Sequence, residues 1–172
     1  MRRGKSLASD PVPPTDMPAL YTIGYEGLVL DQFIAFLHAS EIEHLIDIRE
    51  APVSRKAGFS KDALSTVTES AGIRYSHVRA LGCPKPIRDR YRKDQDWARY
   101  TRDFKIYLAA QMPAIDALRE TAASSRTCIL CYESDYTRCH RAYVGEAVVG
   151  VDGQLMHIVA PGAAPQAPLL FD

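Results

Sequence analysis

Five short apolar stretches separated by segments of helical spacing constrain this chain more than any other property of its sequence. They are LYTIGY (20–25), HLIDIR (44–49), IRYSHV (73–78), RTCILCYE (126–133) and QLMHIV (154–159). Strands joined through helices imply a parallel sheet with helices on both faces and right-handed crossovers. The helical pieces fall at about 28–39, after Ser60, from Asp94 to near Pro113, at 114–123 and at 138–149. Ser60 stands at a helix start, with Phe59 and Leu64 at the two positions of a hydrophobic staple, and Gly72 ends the segment. Trp97, Tyr100, Phe104, Tyr107 and Leu108 follow a three-four spacing, read as an amphipathic helix with its aromatic stripe in the core. LGCPKP (81–86) reads as a loop.

The expectation is an α/β fold: a single three-layer domain over 19–160 with a mostly parallel five-stranded sheet in the order 3-2-1-4-5. Residues 1–18, rich in proline and small polar residues, read as a disordered arm, and 161–172 as a flexible tail. A chain of 172 residues, 47% of them hydrophobic, supports one well-packed core. No apolar run reaches the roughly 18 residues a membrane helix needs, and MRRGK is not followed by a signal-peptide apolar region. A cytoplasmic protein is expected, its four cysteines reduced or engaged in a site.

The formal net charge is zero, but its distribution is uneven. Residues 49–105 carry 14 Lys and Arg against 7 Asp and Glu, and both flanks are acidic. A basic block of this kind suits an anionic partner, a phosphate-bearing small molecule or a nucleic acid; a solvated surface balanced by the acidic flanks explains it equally.

Chemistry-bearing residues gather after two of the strands. At the end of the fourth strand stand Cys131 and Glu133, followed by Asp135 as a helix cap, then Cys139, His140 and Arg141. Helix-end amides beside Arg138 and Arg141 would favour a Cys139 thiolate, while His140 and Glu133 would carry protons. Cys128 alternates away from Cys131 along the strand and reads as a core thiol. Cys131, Cys139 and His140 are acceptable zinc ligands, with Glu133, His77 or Cys83 able to complete four. On a helix, however, adjacent Cys139 and His140 diverge by about 100°, which ranks a metal-free site first.

After the second strand, Arg49, Ser54, Arg55 and Lys56 form a workable phosphate cradle, with Asp47 as an alternative structural partner for an arginine. At the first strand's end, GYEG (24–27) presents Tyr25 to the same edge but lacks the third glycine of a dinucleotide fingerprint. No Walker sequence occurs. In the tail, Gln166, Leu169 and Phe171 look like the short peptide by which bacterial replication and repair proteins engage the DNA polymerase sliding clamp. Packing of the tail on its own domain is the alternative.

Taken together, YTIGYEG, LIDIREAPVSRKAGFSK, GIRYSHVRALGCPKPIR and LCYESDYTRCHRAYVGE resemble the prokaryotic domain-of-unknown-function family 488 across about residues 20–160. The resemblance implies an α/β fold and an active site from Arg49, Ser54, Arg55, Cys131, Glu133, Cys139, His140 and Arg141. Two positions depart from the family pattern: Tyr136 where proline is common, and Cys83 where glycine is common. The second makes Cys83 a poor candidate for a shared ligand.

The leading expectation is an enzyme of DNA maintenance acting on a nucleotide or nucleic acid. Arg49, Arg55 and Arg141 would hold the anion, and Cys139 would act as nucleophile or activated thiol. No cofactor is expected in that reading. The rivals are a non-catalytic nucleic-acid-binding module, with Tyr91, Trp97 or Tyr100 stacking on bases, and a zinc-bound or thiol-switched regulator.

Overall fold

The computed structural model describes residues 19–161. The arm expected over 1–18 and nearly all of the tail, with Gln166, Leu169 and Phe171, lie outside the described residues. Strands β1 (Ala19–Gly24), β2 (His44–Asp47), β3 (Arg74–His77), β4 (Thr127–Cys131) and β5 (Gln154–Ile158) form one sheet in which every pairing is parallel. Helices α1 (Leu30–Ala39), α2 (Lys61–Ser70), α3 (Lys85–Asp94), α4 (Trp97–Ala109), α5 (Met112–Ser124) and α6 (His140–Val149) connect them. None of these helices is long and apolar enough to cross a membrane.

The strand order is β3-β2-β4-β1-β5, not the expected 3-2-1-4-5. The α/β class and the parallel sheet hold, but β4 lies between β2 and β1 instead of outside β1. Its five residues are all buried, as a central strand requires, whereas β3 and β5 keep partial exposure suited to edges. Strand β1 is nearly as buried, so composition alone does not distinguish the two orders.

Each face of the sheet has its own core. Leu45, Cys128 and Leu130 pack with Phe33, Leu37 and Leu64 from α1 and α2. Ile46, Ile129 and Leu20 pack on the opposite face with Phe104, Leu118 and Val144 from α4, α5 and α6. Period-two alternation along each strand sends neighbouring apolar residues to opposite helix layers. Cys128 is fully buried in the first of these cores, as expected of a structural thiol.

The helix signals hold where packing reinforces them. Ser60 occupies the N-cap position of α2 without a side-chain cap bond, Phe59 and Leu64 are both fully buried, and Gly72 stops the helix with φ +79°. Asp96 caps α4 by accepting from the Arg99 amide at 2.9 Å. Tyr100, Phe104 and Leu108 are core, as the aromatic spacing predicts.

Helix α3 is the element that sequence patterning misses, because LGCPKP reads as a loop. Pro84 and Pro86 instead flank the start of α3, where a missing amide donor costs nothing. The helix buries no residue fully, so it carries no apolar period to detect, and the Lys85–Asp89 pair lies on its surface at i,i+4 spacing.

Candidate active site at the carboxyl edge of the sheet

The observed strand order brings the two polar loops side by side. β4 is hydrogen-bonded to β2 on one side and β1 on the other, and those two strands send the chain to the opposite helix layer from β4. Crevices outside the carboxyl ends of parallel strands at such reversals are where α/β sheets hold ligands. A cleft of about 700 Å³ opens there, within the size range of small-molecule sites.

Close approach of β1 to the loop after β4 depends on a glycine. The Tyr25 and Glu26 amides donate to the Cys131 and Tyr132 carbonyls at 3.3 and 2.8 Å. A Cβ on Gly24 would overlap the Glu133 carbonyl, lying 2.6 Å from its carbon and 3.1 Å from Arg141 Nη1. Only glycine lets the end of β1 lie against Glu133 in this arrangement.

Arg49 and Asp47 form a buried ion pair, the structural partnership left open by the sequence. Asp47 accepts from Arg49 Nε at 2.9 Å and Nη2 at 2.5 Å, from the Arg49 amide at 3.0 Å, and from the Tyr75 hydroxyl at 2.6 Å. Arg49 Nη1 donates to Tyr25 Oη at 3.1 Å and to the Phe59 carbonyl at 2.7 Å. Burial opposes the Arg49 charge, but the Asp47 hydrogen bond and charge override it and hold the guanidinium above its ordinary pKa. Arg49 lines the cleft while tying three segments together.

Ser54, Arg55 and Lys56 also line the cleft. Ser54 Oγ accepts from the Lys56 amide at 3.1 Å, which shapes the turn, and Lys56 Nζ donates to the Tyr25 carbonyl at 3.3 Å. Arg55 is exposed and has no ion-pair partner among the described residues.

Cys131, Glu133, Cys139 and His140 converge on the floor of the cleft. Cys131 Sγ and Cys139 Sγ both donate to Glu133 Oε2, at 3.0 and 3.1 Å. His140 Nδ1 lies 3.7 Å from Cys131 Sγ, and its ring meets Phe104 edge-on at 5.2 Å. One ligand atom from each of the four residues lies within 4.8 Å of the others.

Two sequence expectations need correction here. The expected helix over 138–149 puts Cys139 in its first turn or just after it, where it would diverge from His140. It is instead the extended residue before α6, with φ −134° and ψ 139°, so both side chains reach the same point. A thiolate favoured by helix amides was also expected at Cys139. Burial, the Cys131 thiol and the Glu133 charge instead push its pKa well above the ordinary thiol value. Cys131, Glu133 and His140 line the cleft, and Cys139 lies behind them.

Arg141, expected to hold an anion, faces the protein interior. It is fully buried and does not line the cleft. Its Nη1 donates to the Glu133 carbonyl, Nη2 to the Ser134 carbonyl at 3.1 Å, and Nε to Thr22 Oγ1 at 3.3 Å. Asp135 caps the turn that follows, accepting from the Thr137 amide at 2.9 Å. Of the other possible ligands, His77 bonds the Arg49 carbonyl at 2.8 Å, and burial pushes the Cys83 thiol up to about 11.

Sequence patterning did not assign Arg88 and Arg92 of α3 or Glu50 to the site, and gave Arg138 only a place beside Cys139, yet all four line the cleft. The signal for the first two was the pair of prolines at a helix start, which carries α3 over the cleft. Arg138 lies over the Trp97 ring at 5.4 Å.

These features define a parallel α/β protein with a basic cleft and a thiol, carboxylate and imidazole cluster at the carboxyl edge of its sheet. The family model described as domain of unknown function DUF488 matches residues 29–148, more than half of the chain, and the protein belongs to that family. The matched span holds the whole cluster and the Arg49 loop, while Tyr25 precedes it. Searches of curated proteins and of solved structures each give no match.

Proposed function

We propose that this protein is an enzyme that binds a phosphate-bearing ligand, a nucleotide or nucleic acid, in the cleft and acts on it at the cluster. One observation carries this reading. Arg55, Lys56 and Arg138, three cations without a carboxylate partner among the described residues, surround a cleft floored by Cys131, Glu133 and His140. Unpaired cations beside an enclosed polar floor favour an anion over a neutral ligand. Tyr91, Trp97 and Tyr132 line the same walls and offer faces for a base.

In this reading Arg55, Lys56 and Arg138 hold phosphate, and Arg49 fixes the loop that presents the first two. Cys131 is the thiol that meets the substrate, Cys139 lies behind it, and Glu133 and His140 carry protons. The test is titration of fluorescent nucleotides and short single-stranded DNA and RNA across a salt series. Arg55→Ala with Lys56→Ala is expected to lower the slope of log affinity against log salt by roughly 1.4, as losing two phosphate contacts requires. An unchanged slope would remove the anion from this loop.

Burial of both thiols favours a second reading, a non-catalytic nucleic-acid-binding module. Incubating each bound ligand with the protein, followed by mass spectrometry, separates the two. Product formation abolished by Glu133→Gln supports the enzyme; binding without product, indifferent to that change, supports the module.

A place in DNA maintenance adds the sliding clamp as a partner through Gln166, Leu169 and Phe171, which lie outside the described residues. Capture of a purified bacterial clamp by the full chain, lost on Phe171→Ala, is the expected result. Capture unaffected by that change would rule out the tail as the contact.

A further inference from the structure

We infer that Cys131, Glu133, Cys139 and His140 form a binding site for a thiophilic divalent cation, with zinc as the natural occupant. The inference rests on the geometry of these four residues; with a cation bound, Cys131, Glu133 and His140 serve as its ligands, and the thiol and proton-carrying roles given to them above apply to the metal-free chain.

The donor set is the first argument. Two sulfurs, an imidazole nitrogen and a carboxylate oxygen lie within 4.8 Å of one another. Zinc bonds sulfur at about 2.3 Å and nitrogen or oxygen at about 2.0–2.2 Å, so tetrahedral ligands sit roughly 3.3–3.8 Å apart. The Cys131 to His140 separation of 3.7 Å already falls in that range. The two contacts of Glu133 Oε2 with sulfur, 3.0 and 3.1 Å, need only slight expansion. Two thiolates exclude magnesium and calcium, which take oxygen ligands, and a mixed sulfur, nitrogen and oxygen tetrahedron suits zinc.

The surroundings of Glu133 are the second and independent argument. Among the described residues, no lysine or arginine lies within ion-pair distance of its carboxylate. Its side-chain hydrogen-bond donors are two thiols, which donate weakly. Beyond those S–H groups its charged neighbour is the His140 imidazole, and a divalent cation displacing the two thiol protons to solvent would give this half-buried carboxylate a fixed countercharge.

The ligand-bearing segment is also braced by contacts outside the donor set. All four donors come from residues 131–140, the single connection from β4 to α6. Arg141 fixes the Glu133 and Ser134 carbonyls, Asp135 caps the turn, and Gly24 lets β1 close against Glu133. The extended backbone at Cys139 is what points adjacent Cys139 and His140 to one centre.

The experiment starts from full-length protein purified under reducing conditions without chelator. Its metal content is measured by mass spectrometry, and the metal-stripped chain is then titrated with Co²⁺ and Zn²⁺. The expected result is one metal per chain and Co²⁺ spectra with a thiolate charge-transfer band and tetrahedral ligand-field bands, displaced by Zn²⁺. Cys139→Ser is expected to weaken binding by more than the roughly 10–100-fold that loss of an outer-shell partner costs. Cys83→Ser leaves it unchanged. If Cys139→Ser does not fold, Glu133→Gln keeps both thiols and should retain the charge-transfer band at reduced affinity. A fully reduced wild-type chain that takes up neither Zn²⁺ nor Co²⁺ overturns the inference, as does uptake that survives Cys139→Ser at full affinity.

Discussion

Replacing Asp47 by asparagine is expected to destabilise the protein by about 3–5 kcal/mol, the usual cost of stranding one partner of a buried ion pair. Asp47 is fully buried and Arg49 only 6% exposed, so water cannot take over the lost countercharge. Asparagine retains one acceptor oxygen where the carboxylate serves four donors from Arg49 and Tyr75. For a chain of this size each kcal/mol moves the melting temperature by roughly 2–4 °C, so the drop should exceed about 6 °C. Combining Asp47→Asn with Arg49→Met removes the stranded cation and should recover part of the loss. Urea unfolding of the two single variants and the double measures that coupling. Strict additivity would show that the pair does not act as a unit, and the Asp-x-Arg element would then need another explanation.

The second large effect is expected at Arg141. Arg141→Met leaves the Glu133 and Ser134 carbonyls without their donors, at a cost of about 1–3 kcal/mol for each buried polar group left unsatisfied. Removing a buried cation recovers desolvation energy, so the net loss should fall on the order of 3 kcal/mol. Arg141→Lys discriminates between charge and shape. A lysine keeps the charge, but one ammonium group does not reproduce the planar fork that spans two carbonyls and Thr22. It should therefore lose most of the same stability in thermal melts. If lysine restored the wild-type melting temperature, charge alone would be what this position supplies.

Both positions show how the Cys-His-Arg and Asp-x-Arg elements divide their work. The arginines hold the backbone of two adjacent loops, and the side chains that meet the cleft are their neighbours. Arg49 does both, because one edge of its guanidinium is committed to Asp47 while the residue still lines the cavity. Arg141 does only the first, because its whole side chain lies beneath the loop.

Much of the fold is legible in the sequence, because local signals and tertiary packing agree for most of the chain. The five strand stretches, the Phe59 and Leu64 staple and the aromatic period of α4 all mark residues that the fold buries. Alternation of strands with helices is sufficient for a parallel α/β sheet, since no shorter connection joins parallel neighbours. The residues of the cluster are legible too, as reactive types crowded at a strand end where a core has no use for them.

Three things depend on long-range contacts. Strand order is one: β1 and β4 are both buried along almost their whole length, and only packing against two helix layers places β4 in the middle. The second is α3, whose stability comes from its proline-flanked start, surface ion pairs and contact with α4, none of which leaves an apolar period. The third is the direction in which each polar side chain points. Sequence spacing places Cys139 on a helix, pointing away from His140; one extended residue before α6 reverses that geometry and joins both to Cys131 and Glu133. Sequence alone determined which polar and thiol residues gather at the strand ends and which edge of the sheet they occupy, because strand periodicity is a local property. Only the tertiary structure decided which of them share a point in space, because that depends on backbone torsions set by contacts distant in the chain.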